Sequence, residues 1–431
     1  MSAGICIMNK NAIALAADSA VTIGPHLAIH NSSNKLFALS KVAPVGAIIY
    51  SNTELMGIPI ELLIKEYKKD LKLKTFDSLE EYVDGFISFM LRNKQLFHFS
   101  ENEHSLIKNI YIDLLNGLNS DYSLLINRKV SEVQREQLNP EELSIVQQSA
   151  IDATVNFIDQ LPSIPNFDVT EYIVSNYSNE IREYISKILP GITGDTFENL
   201  VLKVCTIFNK DFFRNGYVGI AFAGYGNQDI FPKMYHIHLS GIISDYVRYI
   251  VREQATITEN NTAFISPFAQ TDVMQTFLLG INDGFIHALA TEIPNQIQCI
   301  FQSINNDNFA DGKKQEVFEK LASATPNIIN QIVGKAQQQY LWPITQSIAT
   351  LPIEELALLA ESMINITSLR RKVAIDSNIN TVGGPIDVAI ISKSDGFIWI
   401  KRKHYFEQSN NLQYFYSHYL LQEDTGSEHR D

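Results

Sequence analysis

Two apolar runs open the chain, and each has the length of a β-strand. They cover residues 3–8 and 12–17, with the polar triplet Asn9-Lys10-Asn11 between them. This pattern predicts two strands joined by a short turn, because asparagine tolerates the positive φ angles of tight turns. The second run is apolar at every position, which predicts a strand buried on both faces. Two further runs, at residues 35–39 and 45–50, predict two more strands.

From residue 56 to about residue 213 the apolar positions recur at helical spacing. The segment Ser51-Asn52-Thr53-Glu54 is expected to open the first helix. One face of that helix would carry Ile60, Leu63, Ile64, Tyr67 and Leu71. Ser78 and Glu81 form a capping box, and Pro140 stands in the first turn of a later helix. This block is therefore predicted to be almost wholly helical.

Strands return in the second half of the chain. Residues 216–224 and 233–239 predict a hairpin, and another strand follows at about residues 246–258. Residues 265–270 are expected to open a helix. Beyond this point the pattern predicts two helices, at about 312–340 and 352–368, and two strands, at 382–391 and 397–400.

Composition narrows the class of protein. The chain has 431 residues, 45% of them hydrophobic, which is enough for a large core and suggests two or three domains. Its net charge of −14 makes nucleic acid an unexpected partner. Three scattered cysteines predict neither a disulfide framework nor a zinc site and fit a reducing cytosol. We expect a cytoplasmic protein, since no signal peptide and no long apolar run predict export or membrane insertion.

Candidate chemistry lies at the start of the chain. If Met1 is removed, Ser2 offers both a hydroxyl and a free α-amine. Such an amine titrates at about pH 7.7–8.0, so it can serve as a general base for its own hydroxyl at neutral pH. Asp18 and Lys35 supply a carboxylate and a cation. Each has a plainer alternative: Ser2 as a small residue that permits methionine removal, Asp18 as a turn residue and Lys35 as a surface lysine.

The stretches Ala16-Ala17-Asp18-Ser19 and Lys35-Leu36-Phe37 resemble the start of a proteasome β-subunit or of its bacterial relative HslV. In that family an N-terminal threonine nucleophile precedes an aspartate and a lysine. The family's spacing counted back from Asp18 reaches Ser2, and Lys35 arrives one residue late, as a one-residue loop insertion would explain. Serine keeps the hydroxyl but lacks the methyl group that restricts χ1 in threonine.

The resemblance covers about residues 2–75, 216–290 and 375–405. It implies an α+β fold, a four-layer αββα sandwich of two antiparallel sheets, with extra helices inserted. The division expected from it is an N-terminal part of the core at 1–75, a mostly helical part at 76–213, core strands with a helix at 214–295, a helical segment at 296–372, and C-terminal core strands with a tail at 373–431.

The resemblance also implies roles for further residues. Ser51 and Asn52 replace the family's glycine-containing turn, whose backbone N–H serves as an oxyanion donor. Val21 and Ile49 stand where the family lines its first specificity pocket, and plain core packing is the alternative. Ser266 is the nearest counterpart of a supporting serine. The family's supporting aspartate falls on Ile379, so Asn380 and Thr381 are the candidates to replace it.

His236 and His238 alternate along one predicted strand and so share a face. Two histidines could ligate a metal, but no third ligand is near in sequence, so we interpret them as part of a packed or solvated strand face. No metal is expected.

The sequence thus predicts a proteasome-like N-terminal-nucleophile hydrolase that cleaves peptide or amide bonds through Ser2 after Met1 removal. The chemistry needs no cofactor. The family's rings suggest a homo-oligomer, and an ATPase is a possible partner; nucleic acid and membrane are not expected. Two alternatives stay open: a proteasome-like scaffold or binding protein without catalysis, and an amidase acting on a small molecule.

Overall fold

The computed structural model describes residues 3–23, 28–30, 33–97, 100–133, 137–303, 313–373, 382–404 and 406–415. The chain divides into two compact units. Unit 1 comprises Met1–Leu36, Thr262–Ile391 and Phe397–Asp431, and unit 2 comprises Phe37–Asn261 and Ser392–Gly396. Ser2 and Thr381 lie outside the described residues, as do Ile379 and Asn380.

The strands, in chain order, are β1 (Ala3–Asn9), β2 (Ala12–Ala17), β3 (Val21–Ile23), β4 (Ala28–His30), β5 (Leu36–Ala38), β6 (Val45–Ser51), β7 (Glu54–Leu55), β8 (Ile58–Pro59), β9 (Val218–Gly224), β10 (Lys233–Ile243), β11 (Tyr246–Thr256), β12 (Ala263–Ala269), β13 (Asp387–Ser392) and β14 (Gly396–Lys401).

The helices are α1 (Ile60–Leu71), α2 (Leu79–Arg92), α3 (Lys94–Phe97), α4 (Ser100–Val133), α5 (Pro140–Gln160), α6 (Thr170–Ile188), α7 (Asp195–Thr206), α8 (Asp272–Leu279), α9 (Asp283–Ser303), α10 (Lys313–Ala336), α11 (Trp342–Ile348), α12 (Ile353–Val373) and α13 (Leu412–Phe415). A π-helical turn, Gln337–Leu341, joins α10 to α11.

Unit 1 is built on a five-stranded sheet of order β12-β1-β2-β13-β14, in which β1 runs antiparallel to both of its neighbours. One face of β1 and β2 packs against α8, α11 and α12, where Ile5 and Ile7 meet Met274 and Met363. The residues of the opposite face, such as Leu15, are buried as well. The burial on both faces that the sequence predicts is therefore confirmed.

Unit 2 is built on a second five-stranded sheet, of order β11-β10-β9-β6-β5, with antiparallel pairing of β6 to β9, β9 to β10 and β10 to β11. Helices α1 and α2 cover one face, where Tyr67 and Phe86 pack with Ile220 and Phe222 of β9. Helices α4 to α7 form a second core of their own, which Ile243 at the end of β10 joins.

The predicted α+β class, with antiparallel sheets and a large helical block, is confirmed by this architecture. None of the helices in the described part of the chain combines the length and hydrophobicity that a membrane span requires.

Two predicted helix starts are wrong. Helix α1 begins at Ile60 rather than at residues 51–54, because the chain first forms the small hairpin β7–β8, with Met56 and Gly57 at positive φ in its turn. Residues 263–269 form strand β12 instead of opening a helix, since they pair with β1 along their whole length, and α8 follows only at Asp272.

Candidate active site

The first described residue, Ala3, is bound directly by the candidate carboxylate. Oδ1 of Asp18 accepts hydrogen bonds from the Ala3 backbone N–H at 2.9 Å and from Nζ of Lys35 at 2.5 Å. Oδ2 accepts from the backbone N–H groups of Gly383 at 3.1 Å and Ala20 at 3.3 Å. The Asp18 side chain is fully buried. One carboxylate therefore joins the start of β1, the end of β2 and the segment that precedes β13.

Lys35 is buried together with its partner. Its residue is only 4% exposed, so the surface-lysine alternative does not hold. Nζ also donates to the Ala20 carbonyl oxygen at 2.5 Å. Burial lowers the pKa of Lys35 from its usual value, the charge of Asp18 and its hydrogen bond oppose that effect, and the charge of Lys403 adds a further lowering. Two residues that are 17 positions apart in sequence thus form one buried ion pair.

The backbone of the Gly383-Gly384 pair forms hydrogen bonds within this site. Besides the bond from its N–H to Asp18, Gly383 accepts the Ser19 N–H at its carbonyl, at 3.2 Å. Ser19 Oγ donates to the Pro385 carbonyl at 2.5 Å. Gly384 has a φ of 75°, a conformation that glycine adopts without strain. The sequence indicated a glycine turn before a strand here, but not that its amide would bind Asp18.

Ser266 and Val21 lie in unit 1, and the hydrogen bonds described for Asp18 and Lys35 involve neither of them. Ser266 is buried in β12 opposite Cys6, three pairs along the ladder from Ala269, which faces Ala3. Val21 begins β3 just after Ala20 and is 9% exposed. The roles predicted for both stay predictions.

The predicted oxyanion donors belong to unit 2. Ser51 ends β6 with a φ of 71°, a strained value for a residue with a side chain. The Asn52 N–H donates to the Tyr217 carbonyl at 3.3 Å, so the sheet already uses this amide. Since α1 begins at Ile60, its N-terminus does not provide the positive potential that was expected at residues 51–54.

Ile49 is 5% exposed and belongs to the core between the unit 2 sheet and helices α1 and α2. Its strand partner is Ile220. This position favours the core alternative that the sequence left open over a place in a specificity pocket.

The histidine pair has a partner that sequence reasoning missed. His236 and His238 both hydrogen bond the Tyr50 hydroxyl through Nε2, the second of them at 2.8 Å. Arg252 Nε donates to Nδ1 of His238 at 2.9 Å, and the Tyr217 ring stacks on the same histidine, with ring centroids 4.1 Å apart. Burial lowers the pKa of His236 to about 4 and that of His238 to about 3, with the Arg252 charge as the second cause.

The Arg252 contact decides which ring nitrogen of His238 carries the proton. A guanidinium only donates, so Nδ1 of His238 must be unprotonated, and the neutral ring then carries its proton on Nε2. That N–H donates to the Tyr50 hydroxyl oxygen, and the same hydroxyl bonds Nε2 of His236. A metal ion would need the lone pair on Nε2 of His238, which this arrangement removes. The interpretation as a packed strand face therefore fits better than a metal site. In the described residues no cluster of three or more His, Cys, Asp or Glu is placed to hold a metal.

Neither the protein-family models nor the curated proteins that were compared match this chain. Solved structures to which the chain is similar include three of Anbu. The Gly-1 mutant from Hyphomicrobium sp. strain MC1 is 11% identical, with all of both chains covered and a TM-score of 0.27. The ancestral beta-subunit from Yersinia bercovieri is 9% identical, with 96% of each chain covered and a TM-score of 0.26. The helical Anbu assembly from Pseudomonas aeruginosa is 9% identical, with 96% of this chain and 93% of that chain covered and a TM-score of 0.26. Superpositions at this level do not establish a family.

Proposed function

We propose that this chain is a proteasome-like N-terminal-nucleophile hydrolase, which cleaves peptide or amide bonds through Ser2 once Met1 has been removed. The observation that carries the proposal is the Asp18 carboxylate, which binds the Ala3 N–H and the Lys35 ammonium with the same oxygen. Ser2 is joined to that Ala3 nitrogen by a peptide bond. The proposal therefore assigns the nucleophile to the residue that directly precedes the amide bound by the ion pair.

Lys35 has donor capacity to spare for such a nucleophile. An ammonium carries three N–H donors. Among the described residues, Nζ donates to Asp18 Oδ1 and to the Ala20 carbonyl. The third donor is available to an oxygen outside the described part of the chain, and the Ser2 hydroxyl is the candidate. An ammonium that binds the hydroxyl oxygen stabilises the alkoxide form, while its charge disfavours protonation of the nearby α-amine.

The chemistry follows from these groups. The Ser2 amine takes the hydroxyl proton, Oγ attacks the amide carbonyl, and the amine leaving group departs with a proton. Water then hydrolyses the acyl-enzyme and regenerates Ser2. The oxyanion roles of Ser51 and Asn52 stay predictions. So do a homo-oligomer and an ATPase partner, and so does the choice between a peptide and a small amide.

Intact-mass measurement with a β-lactone probe tests the proposal. We expect loss of Met1 and a single adduct in the wild type. Ser2→Ala is the matched control, because alanine also permits methionine removal, and it should give no adduct. Ser2→Thr should still react, since threonine keeps the hydroxyl. A wild type that retains Met1, or one with an exposed Ser2 that forms no adduct, contradicts the proposal.

A scaffold without catalysis is the second candidate. It is favoured by the Asn52 N–H, which is already bonded to the Tyr217 carbonyl instead of being available to a substrate. Under this alternative Met1 stays in place, or the probe leaves an exposed Ser2 unmodified, so the same experiment separates the two.

A further inference from the structure

A second buried lysine–aspartate pair lies in unit 1. Asp387 is the first residue of β13 and is 3% exposed. One of its carboxylate oxygens accepts the Lys403 backbone N–H at 2.8 Å, and the other binds Nζ of Lys403. The Lys403 side chain is 10% exposed, so this ammonium is fixed and largely withdrawn from water.

This pair stands at the same end of the sheet as Asp18 and Lys35. Strands β2 and β13 are neighbours in the sheet. Residues 383–385, which lead into Asp387, bind the segment that follows β2, through the Gly383 N–H to Asp18 and the Ser19 hydroxyl to the Pro385 carbonyl. Two ammonium groups are thus buried in one region, and the charge of Lys403 contributes to the lowered pKa of Lys35.

Three other charged or titratable groups lie near Lys403. Asp387 is its direct partner and offsets part of its positive charge, and the Lys403 charge lowers the pKa of Lys35. His404, the next residue, has its pKa lowered by burial and by Arg402, against the opposing charge of Asp387, so it is neutral near pH 7. Arg402 is exposed and lies over the Trp399 ring, 4.8 Å from its centroid, where water screens its charge.

We propose that Lys403, held by Asp387, is a positioning residue of the N-terminal site. Lys403 presents a second positive charge to Lys35 and in this way sets the pH range in which Ser2 reacts. This inference rests on the proposed function. Removing that charge raises the pKa of Lys35 and, by the same electrostatics, of the Ser2 amine. A base with a higher pKa stays protonated to a higher pH, so the acidic limb of the reaction moves upward.

The test is the pH profile of β-lactone adduct formation on the full chain, followed by intact mass from pH 5.5 to 9. We expect Lys403→Met to shift the acidic limb upward by about 0.5–1 pH unit, which slows adduct formation below the limb about 3- to 10-fold. Lys401→Met is the matched control: it removes the same charge two residues away, from an exposed lysine paired with Glu361. The pH profile of Lys401→Met should coincide with that of the wild type. Lys403→Arg keeps the positive charge, so its acidic limb should lie at the wild-type pH.

Lys403→Gln covers the case in which the methionine variant does not fold, because glutamine can still donate to Asp387. If the pH profile of adduct formation for the folded Lys403 variant has the same acidic limb as that for Lys401→Met, this inference is overturned and the proposed function is not. Absence of any adduct on the wild type overturns the proposed function, and this inference with it.

Discussion

We expect the loss of Asp18 and the loss of Lys35 to lower the stability of unit 1 by unequal amounts. Replacing Lys35 by methionine leaves Asp18 with three backbone N–H donors, from Ala3, Ala20 and Gly383. Replacing Asp18 by asparagine leaves the Lys35 ammonium with neutral acceptors, the Ala20 carbonyl and the amide oxygen of the new side chain, while the new NH2 group cannot accept the backbone N–H bonds that a carboxylate oxygen accepts. A buried ammonium without a compensating charge is the worse outcome, so Asp18→Asn should destabilise unit 1 more than Lys35→Met.

The size of the effect follows from the geometry. At 2.5 Å and an effective dielectric constant of about 20, the two charges attract by about 7 kcal/mol, most of which offsets the loss of hydration. Removing one partner of a buried pair costs about 3–5 kcal/mol. For Asp18→Asn the cost of the unpaired charge cannot exceed that of deprotonating the lysine, about 4.6 kcal/mol at pH 7 for an unperturbed pKa of about 10.4. We expect about 3–4.5 kcal/mol for Asp18→Asn and about 1–3 kcal/mol for Lys35→Met.

The assay is urea unfolding followed by tryptophan fluorescence. Both tryptophans, Trp342 and Trp399, belong to unit 1, so their emission reports on the unit that contains the pair. The Asp18→Asn/Lys35→Met double variant completes the cycle and should be at least about 2 kcal/mol more stable than the sum of the single changes predicts.

The pH dependence of Asp18→Asn supplies an independent check. Without the carboxylate, the pKa of Lys35 in the folded state lies further below its unfolded value, so the unfolded state binds more protons. Stability of this variant relative to the wild type should therefore rise with pH between 7 and the unfolded lysine pKa. Additive single changes, or a Lys35→Met variant less stable than Asp18→Asn, would show that the pair does not work as described.

Three further predictions concern other parts of the molecule. The pKa values of His236 and His238 are lowered to about 4 and about 3, so the unfolded state binds more protons below pH 6.5. The free energy of unfolding should fall by about 1.6 kcal/mol per histidine from pH 6.5 to 5. Far-UV circular dichroism in urea should show a smaller fall for the His236→Gln/His238→Gln double variant. Arg248, 1% exposed, donates to the carbonyls of residues 208, 210 and 212, so even Arg248→Lys should cost at least about 2 kcal/mol in the same assay. Ala269 has a φ of 66°, so Ala269→Gly should leave stability unchanged or raise it by up to about 1 kcal/mol in tryptophan-detected unfolding, whereas Ala269→Val should lower it.

The sequence predicted strands well where apolar runs are short and bounded by turn residues, as in β1, β2 and β6. It failed at β12, where Ser266-Pro267 looked like the start of a helix. Proline is tolerated there because β12 is the edge strand of its sheet, a position that no local pattern reveals. It failed again at residues 51–54, where a Ser-Asn-Thr-Glu run resembles a helix start although Ile60 is the first helical residue.

The candidate site likewise has residues that the sequence predicted and residues that it could not predict. Asp18 and Lys35 could be predicted because both lie in the first 35 residues, at a spacing that a known family shares. The amide of Gly383, which binds the same carboxylate, is 365 residues away from Asp18. Only strand order places the two together. The bond between Tyr50 and the two histidines was missed for the same reason, since 186 residues separate Tyr50 from His236.

A structural role explains Asp18 better than it explains Lys35. Asp18 ties three segments of unit 1 through backbone amides, and a scaffold would need such a bond as much as an enzyme. Lys35 binds only one backbone group besides Asp18 among the described contacts, yet its ammonium loses nearly all of its hydration. An apolar side chain of similar length would fill the space without that cost. The buried cation that shares a carboxylate oxygen with the Ala3 N–H is therefore the feature that supports the proposed hydrolase over a scaffold.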